Sequence, residues 1–205
     1  MNSIFNYDIL TIIGTTFQMT IISSAISLLI GTILGLLLQR TNFPGKKIIV
    51  RINRTLMGVP PVVIGLVVYL LFMRKGFFGF LDILFTVPVM IIAQVLIITP
   101  IVCGMIYSAS QRVADKIRTF GITMGANKRQ LFLLLIRELS NEIYFVGVTG
   151  FGRAISEVGA VMIVGGNIRG QTRVMTTAIA SLGNRGVYHE AIYLGIILLI
   201  ISLLL

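Results

Sequence analysis

Residues 150–173 read GFGRAISEVGAVMIVGGNIRGQTR. The stretch opens in apolar sequence, yet Arg153 and Glu157 sit inside it. A charge at the centre of a bilayer costs about 2.5–3.5 kcal/mol on insertion scales, so such charges face a bundle interior, a partner or a water path. At helical spacing the two are one turn apart and share a face. On the neighbouring stripe, Gly152, Ser156 and Gly159 are small enough to admit a second helix. The stretch then leaves the apolar region through Gly165, Gly166 and Asn167 and presents Arg169 and Arg173. Two readings stay open on these residues: a path for a small anion, or a buried ion pair followed by a basic loop.

The surrounding composition decides that the medium is a membrane. The 205 residues are 56% apolar and only 12% charged, with a mean hydropathy of +0.98. The charges cluster between long apolar runs, the pattern of a polytopic helical protein. A transmembrane β-barrel would need alternating segments of about ten residues instead. One cysteine, Cys103, precludes an intrachain disulfide, and one histidine, His189, removes most metal and acid–base constellations. The net charge of +10 marks membrane topology rather than nucleic-acid binding, because most basic residues fall in the loops that the positive-inside rule assigns to the cytoplasm, with Arg74, Arg169, Arg173 and Arg185 in outer loops a partial exception.

In chain order, five spans are expected, at about residues 9–38, 57–73, 86–106, 143–165 and 191–205, within a single domain covering 1–205. The start holds no basic residue and no clear cleavage site, so a secretory signal is not expected. The first span carries Gly31 and Gly35 at a spacing that permits close helix contact. Residues 39–56 contain Arg40, Lys46, Lys47, Arg51 and Arg54 and no acid, which predicts a cytoplasmic loop and an outside N-terminus. Asn42 to Gly45 is a turn signal, and residues 48–56 suit a short amphipathic helix on the membrane surface. Pro60 and Pro61 open the second span, since a proline in the first helical turn forgoes little.

Pro100 predicts a kink or an early end to the third span. Residues 107–142 read as the second cytoplasmic loop, with residues 131–136 a helix too short to cross. Residues 167–190 read as an outer segment too polar to cross. The fifth span places the C-terminus in the cytoplasm. No basic tail follows it, so further residues are expected beyond 205.

No Gly-rich phosphate loop ending in Gly-Lys-Ser/Thr is present, and the apolar runs hold no Ser–His or paired-Asp set. An enzyme is not expected; there are no catalytic and no metal-binding candidates.

The stretch TFGITMGANKRQLFLLLIRE, residues 119–138, resembles the loop by which permease subunits of bacterial ABC importers dock onto their ATPases. Gly125 and Ala126 fit the central glycine of that pattern and Leu135 fits its hydrophobic position. Thr119, Phe120 and Gly121 replace its opening Glu-Ala-Ala, and Arg137 and Glu138 replace its closing Leu-Pro. The run LMGVPPVVIGLV, residues 56–67, is similar to the start of the second span in oxyanion permeases. The opening stretch, with Gly166-Asn167-Ile-x-Gly170-x-Thr172 at its end, resembles the signature of molybdate and sulfate permeases. Its particular form is most similar to tungstate permeases.

The resemblance implies an all-α permease of the type I ABC importer class, with a cytoplasmic coupling helix between spans 3 and 4. It implies a homodimer with the pathway between the copies, two cytoplasmic ATPase subunits carrying ATP and Mg, and an extracytoplasmic binding protein. No cofactor is expected on this chain itself. ATPase coupling is assigned to Gly121, Gly125, Ala126, Asn127, Lys128, Arg129, Gln130 and Leu131. The anion pathway or outer mouth is assigned to Arg153, Ser156, Glu157, Gly159, Asn167, Arg169, Thr172 and Arg173. Because Glu157 would repel an oxyanion, a structural pair with Arg153 is the favoured role for it. For Arg153 pathway and packing stay open.

Overall fold

A computed structural model describes residues 2–204, with side chains from Ile9 onward. The chain is helical: α1 (Asn2–Arg40), α2 (Lys46–Met57), α3 (Pro61–Phe72), α4 (Val87–Thr123), α5 (Lys128–Glu138), α6 (Ser140–Ile155), α7 (Gly159–Gly165), α8 (Met175–Asn184) and α9 (Tyr188–Leu203). A 3-10 turn, Gly79–Leu81, lies between α3 and α4. Among the described residues, two helices are long and apolar enough to cross a bilayer, Ile9–Arg40 and Val87–Thr123. Two bent pairs raise the number of spans to as many as four: α2 with α3 at 101°, and α6 with α7 at 57°. The apolar helix α9, 16 residues long, follows them.

α1 and α4 form the central pair, and their contact is set by small residues. On α1, Thr16, Thr20, Ser23 and Ser27 are wholly buried, and Gly31 and Gly35 continue the same stripe. A Cβ added at Gly31 would lie 2.6 Å from Val102 Cβ, and one at Gly35 2.8 Å from the Cys103 carbonyl oxygen. In hydrocarbon, where lipid tails are as apolar as leucine, such close backbone approach drives helix association. The small-residue spacing read from the first span therefore serves this crossing.

Three apolar clusters surround the pair. Met19, Val68, Met90 and Val161 join α1, α3, α4 and α7. Leu36, Ile106, Leu139 and Val146 join α1 and α4 to the α5–α6 region. Ile12, Met175 and Leu194 join α1, α8 and α9. At α8, the amide of Met175 donates to Thr16 Oγ1 at 2.9 Å, so a hydroxyl of α1 satisfies an N-terminal amide of α8 that the helix itself cannot.

Several expected boundaries move. The second span reduces to α3; at 12 residues it is about 18 Å long, and the amphipathic α2 meets it at a sharp bend. α3 does begin at Pro61, with Pro60 before it. α4 does not end at Pro100: it runs unbroken for 37 residues. Pro100 forgoes the bond to the Leu96 carbonyl, and one turn further on Asn53 Nδ2 of α2 donates to the Pro100 carbonyl at 3.1 Å. Residues 107–142 comprise the remainder of α4, a turn at 124–127, α5, which contains the short helix expected at 131–136, and the start of α6. No proline occurs between Ser108 and Thr123, and burial of Ala109 and Ser110 holds the helix past the apolar run. The expected outer segment 167–190 contains α8, whose Met175, Thr176, Thr177 and Ala178 are buried. The fourth span is broken at residues 156–158. Residue 205, the last of the expected fifth span, lies outside the described residues.

Candidate functional site: a broken helix and a helix–helix turn

The break between α6 and α7 is built around Glu157. Its carboxylate Oε1 accepts from the Ala160 amide at 3.2 Å, supplying one of the partners that the first turn of α7 lacks. The other oxygen, Oε2, lies 3.4 Å from an Arg153 guanidinium nitrogen. The Glu157 backbone carbonyl accepts from Thr176 Oγ1 at 2.9 Å, which ties the break to α8. Glu157 is 5% exposed and the Arg153 side chain 37%. The carboxylate is thus consumed by structure, while one side of the guanidinium faces outward.

Near the end of α6 the Ala154 carbonyl, which accepts from the Glu157 amide at 3.3 Å, has a second partner. Gln94, wholly buried in α4, donates through Nε2 to the Ala154 carbonyl at 2.8 Å. Its Oε1 accepts from Ser23 Oγ of α1 at 2.6 Å. One amide thus fastens α1, α4 and α6 at the level of the break. Buried amides are kept only when paired, because an orphan costs about 1–3 kcal/mol. The sequence reading passed over Gln94; a lone glutamine inside an otherwise apolar span was the available signal.

Small residues bring α3 onto α7. A Cβ at Gly159 would come 2.6 Å from Val62 Cγ2, and one at Gly65 2.6 Å from Ala160 Cα. Of the stripe Gly152, Ser156 and Gly159, only Gly159 is met by another helix of this chain. Gly152 has open space at its missing Cβ, and Ser156 is exposed.

α7 ends in the left-handed Gly166, and Asn167 (φ 51°) and Gly170 (φ 76°) also lie in that region. Thr172, buried, closes this loop: its hydroxyl donates to the Gly165 carbonyl and accepts from the Ile168 amide at 3.0 Å. Arg173 Nε donates to Asn167 Oδ1 at 3.2 Å, and its terminal nitrogen reaches the Asn167 carbonyl at 3.4 Å. Arg169 lies exposed at the tip. The structure thus joins Arg153, Glu157 and Gly159 at the break and Asn167, Thr172 and Arg173 in the loop, with α7 between the two groups.

The second candidate region lies at the far end of α4. There the amide of Ala126 donates to the Gly121 carbonyl at 2.8 Å and that of Gly125 to Ile122 at 3.0 Å. This is a Schellman stop, which needs a left-handed residue; Gly125 supplies it at φ 73°. α5 starts at once with a capping box. Asn127 Oδ1 accepts from the Arg129 and Gln130 amides at 3.1 and 2.9 Å, and Gln130 Oε1 accepts from the Asn127 amide at 2.8 Å. Gly125 and Ala126 thus lie in a tight turn before the short helix, not within it. Gly121 is buried beneath Leu131, with no room for a side chain. Phe120, Ile122 and Met124 are exposed beside Lys128 and Arg129, which makes the turn a half-apolar, basic surface.

Comparison with known proteins bears on both regions. Residues 28–205 match the family described as binding-protein-dependent transport system inner membrane component. The chain is 44% identical over 198 residues to the tungstate uptake system permease protein TupB of Peptoclostridium acidaminophilum, covering 97% of this chain and 87% of that one. It is 34% identical to a probable anion ABC transporter permease protein of Haloferax volcanii, over 95% of this chain and 86% of that one. The sulfate transport system permease protein CysW of Synechocystis is 29% identical, over 78% of this chain and 62% of that one. The apolar helical bundle, the small-residue crossings and this match over most of the sequence make the chain a membrane-embedded permease subunit of the binding-protein-dependent ABC transport family.

Proposed function

We propose that this permease conducts tungstate into the cell. The observation that carries the reading is the 44% identity to a tungstate uptake permease over 97% of the chain; a second tungstate permease, from Campylobacter jejuni, is 33% identical over 78% of it. In this reading two copies enclose the pathway, with the N-terminus outside and the C-terminus in the cytoplasm. The basic loop after α1 and the basic turn between α4 and α5 support that orientation. Two ATPase subunits, holding ATP and Mg, bind the turn at residues 121–131, and an extracytoplasmic protein delivers the anion near residues 167–173.

Closure of the ATPases draws the two turns together and opens the pathway outward. Arg153, with part of its guanidinium exposed, offers donors to a tetrahedral oxyanion as it passes; Glu157 holds it in place. Ser156 and Gly159 keep the break narrow, Thr172 and Asn167 shape the outer loop, and Arg169 and Arg173 add positive potential there. The sulfate permeases among the relatives favour a second reading, in which sulfate or molybdate is the cargo.

Proteoliposomes containing the permease, its ATPase and the loaded binding protein decide between them. ATP-dependent accumulation of tungstate over sulfate and molybdate is expected. Accumulation of sulfate or molybdate in preference would transfer the assignment, and no accumulation of any oxyanion would remove it.

A further inference from the structure

We propose that a groove where α1, α4 and α5 meet holds the headgroup of an anionic phospholipid. Each helix contributes one cation to this cavity of about 400 Å³: Arg40 from α1, Arg118 from α4 and Lys128 from α5. No acidic side chain lines it. Among the described residues, no carboxylate pairs with any of the three. Leu36, Leu131 and Phe132 form its apolar wall, and Gln39 lies on its polar side with the cations. The Arg40 guanidinium lies over the Phe132 ring, 5.8 Å from its centre, a contact that steadies the side chain without using an N–H donor.

Position makes the occupant a lipid rather than a soluble anion. Arg40 ends the apolar run Ile9–Arg40, and Leu34 and Leu37, one to two turns before it, are exposed on α1. The groove therefore opens where hydrocarbon gives way to headgroups. A phosphate between three cations with acyl chains against leucines satisfies both halves of it, and basic pockets between helices at this level bind acidic headgroups. A second cavity, lined by Arg54 and Arg112, lacks this character because Glu142 already engages Arg112 at 3.0 Å. Lys128 also belongs to the turn assigned to the ATPase, so a bound headgroup would brace α5 where coupling is proposed. The inference rests on the chain being a membrane permease subunit, not on which anion it carries.

The test is lipid retention by the assembled transporter, read by native mass spectrometry after exchange from nanodiscs of phosphatidylcholine mixed with phosphatidylglycerol. The wild-type complex should retain phosphatidylglycerol in preference. Removing charge should lower that retention about fivefold for Arg40→Gln or Arg118→Gln alone, and about twenty-five-fold for both. The double Arg→Lys variant, which keeps the charges, should retain it; equal loss there would indicate damage rather than lost recognition and would overturn the proposal. Equal retention of both lipids, or an equal loss with Arg74→Gln and Lys75→Gln, would also overturn it. So would displacement of phosphatidylglycerol by inorganic phosphate, which would make the groove a soluble-anion site. None of these readings depends on oxyanion uptake.

Discussion

Gln94 donates to the Ala154 carbonyl at 2.8 Å, so the central helix α4 holds the end of α6 where the chain breaks. The bond lies beside the Arg153–Glu157 pair in sequence and some 27 residues before Gly121 on the same helix (121 − 94), which at 1.5 Å per residue is about 40 Å. Both candidate regions therefore hang on one unbroken element.

Gln94→Leu should lower the stability of the detergent-solubilised complex by about 1 kcal/mol, because it removes a bond each from the Ala154 carbonyl and the Ser23 hydroxyl, which keep the Glu157 amide and the Thr20 carbonyl as partners. Thermal unfolding reads this as a drop in Tm. Gln94→Glu, which can still accept from Ser23 but loses the donor to Ala154 when ionised, should not restore the wild-type Tm. An unchanged Tm in Gln94→Leu would mean that the fastening contributes nothing.

Arg153 and Glu157 call for a double-mutant cycle. Removing Arg153 strands the buried Glu157 carboxylate, so Arg153→Gln and Glu157→Gln together should destabilise by less than the sum of the single changes. Glu157→Ala should be worse than Glu157→Gln, since the amide can still accept from Ala160. If Arg153 also meets the anion, uptake by the double variant should remain below that of Glu157→Gln alone. Equal uptake in those two would confine Arg153 to structure.

At Gly125 the backbone and the surface can be separated. Gly125→Asn suits the left-handed region and should leave Tm near wild type, whereas Gly125→Val should cost roughly 1–2 kcal/mol. Open space surrounds the missing Cβ within this chain, so an effect of Gly125→Trp beyond the backbone strain that Gly125→Val measures comes from a partner. Gly125→Trp is expected to insert into membranes yet abolish anion-stimulated ATP hydrolysis in the reconstituted complex. Full stimulation in that variant would argue against contact with the ATPase.

The outer loop divides between shape and field. Thr172→Val removes a hydroxyl that bonds twice and should destabilise the loop by about 1–3 kcal/mol, visible as faster proteolysis between residues 165 and 174. Arg169→Glu, at the exposed tip, should reduce uptake more at low ionic strength than at high, because exposed charges are screened. Arg173→Glu should add a salt-independent loss, since it gives up the bonds to Asn167. A purely salt-dependent effect at Arg173 would show that those bonds do not matter.

Much of the fold was legible because membrane helices advertise themselves through composition and small-residue spacing, as Gly31 and Gly35 do on α1. The turn signals at Asn42 to Gly45 and at Pro60 and Pro61 also mark real boundaries. The break in the fourth span was not read, because no proline announces it: Glu157, which does pair with Arg153 as expected, also makes the break by bonding the Ala160 amide. α8 was hidden for the opposite reason. Its polar residues, Thr176 and Thr177, suggested exposure, but they are buried against the break and within the helix's own first turn. Gln94 bonds residues 71 and 60 positions away, a pairing no local pattern carries.

The continuity of α4 through Pro100 also has an angular consequence. With 3.6 residues to a turn, one residue inserted anywhere between Gln94 and Gly121 would swing the Gly125 corner about 100° around the axis and aim it away from whatever it meets. An insertion at Gly45, in an exposed bend, would rotate nothing of the kind. The two candidate regions are therefore phased like teeth cut on one shaft, and the count of residues between them sets their relative aim as much as their identities set their chemistry.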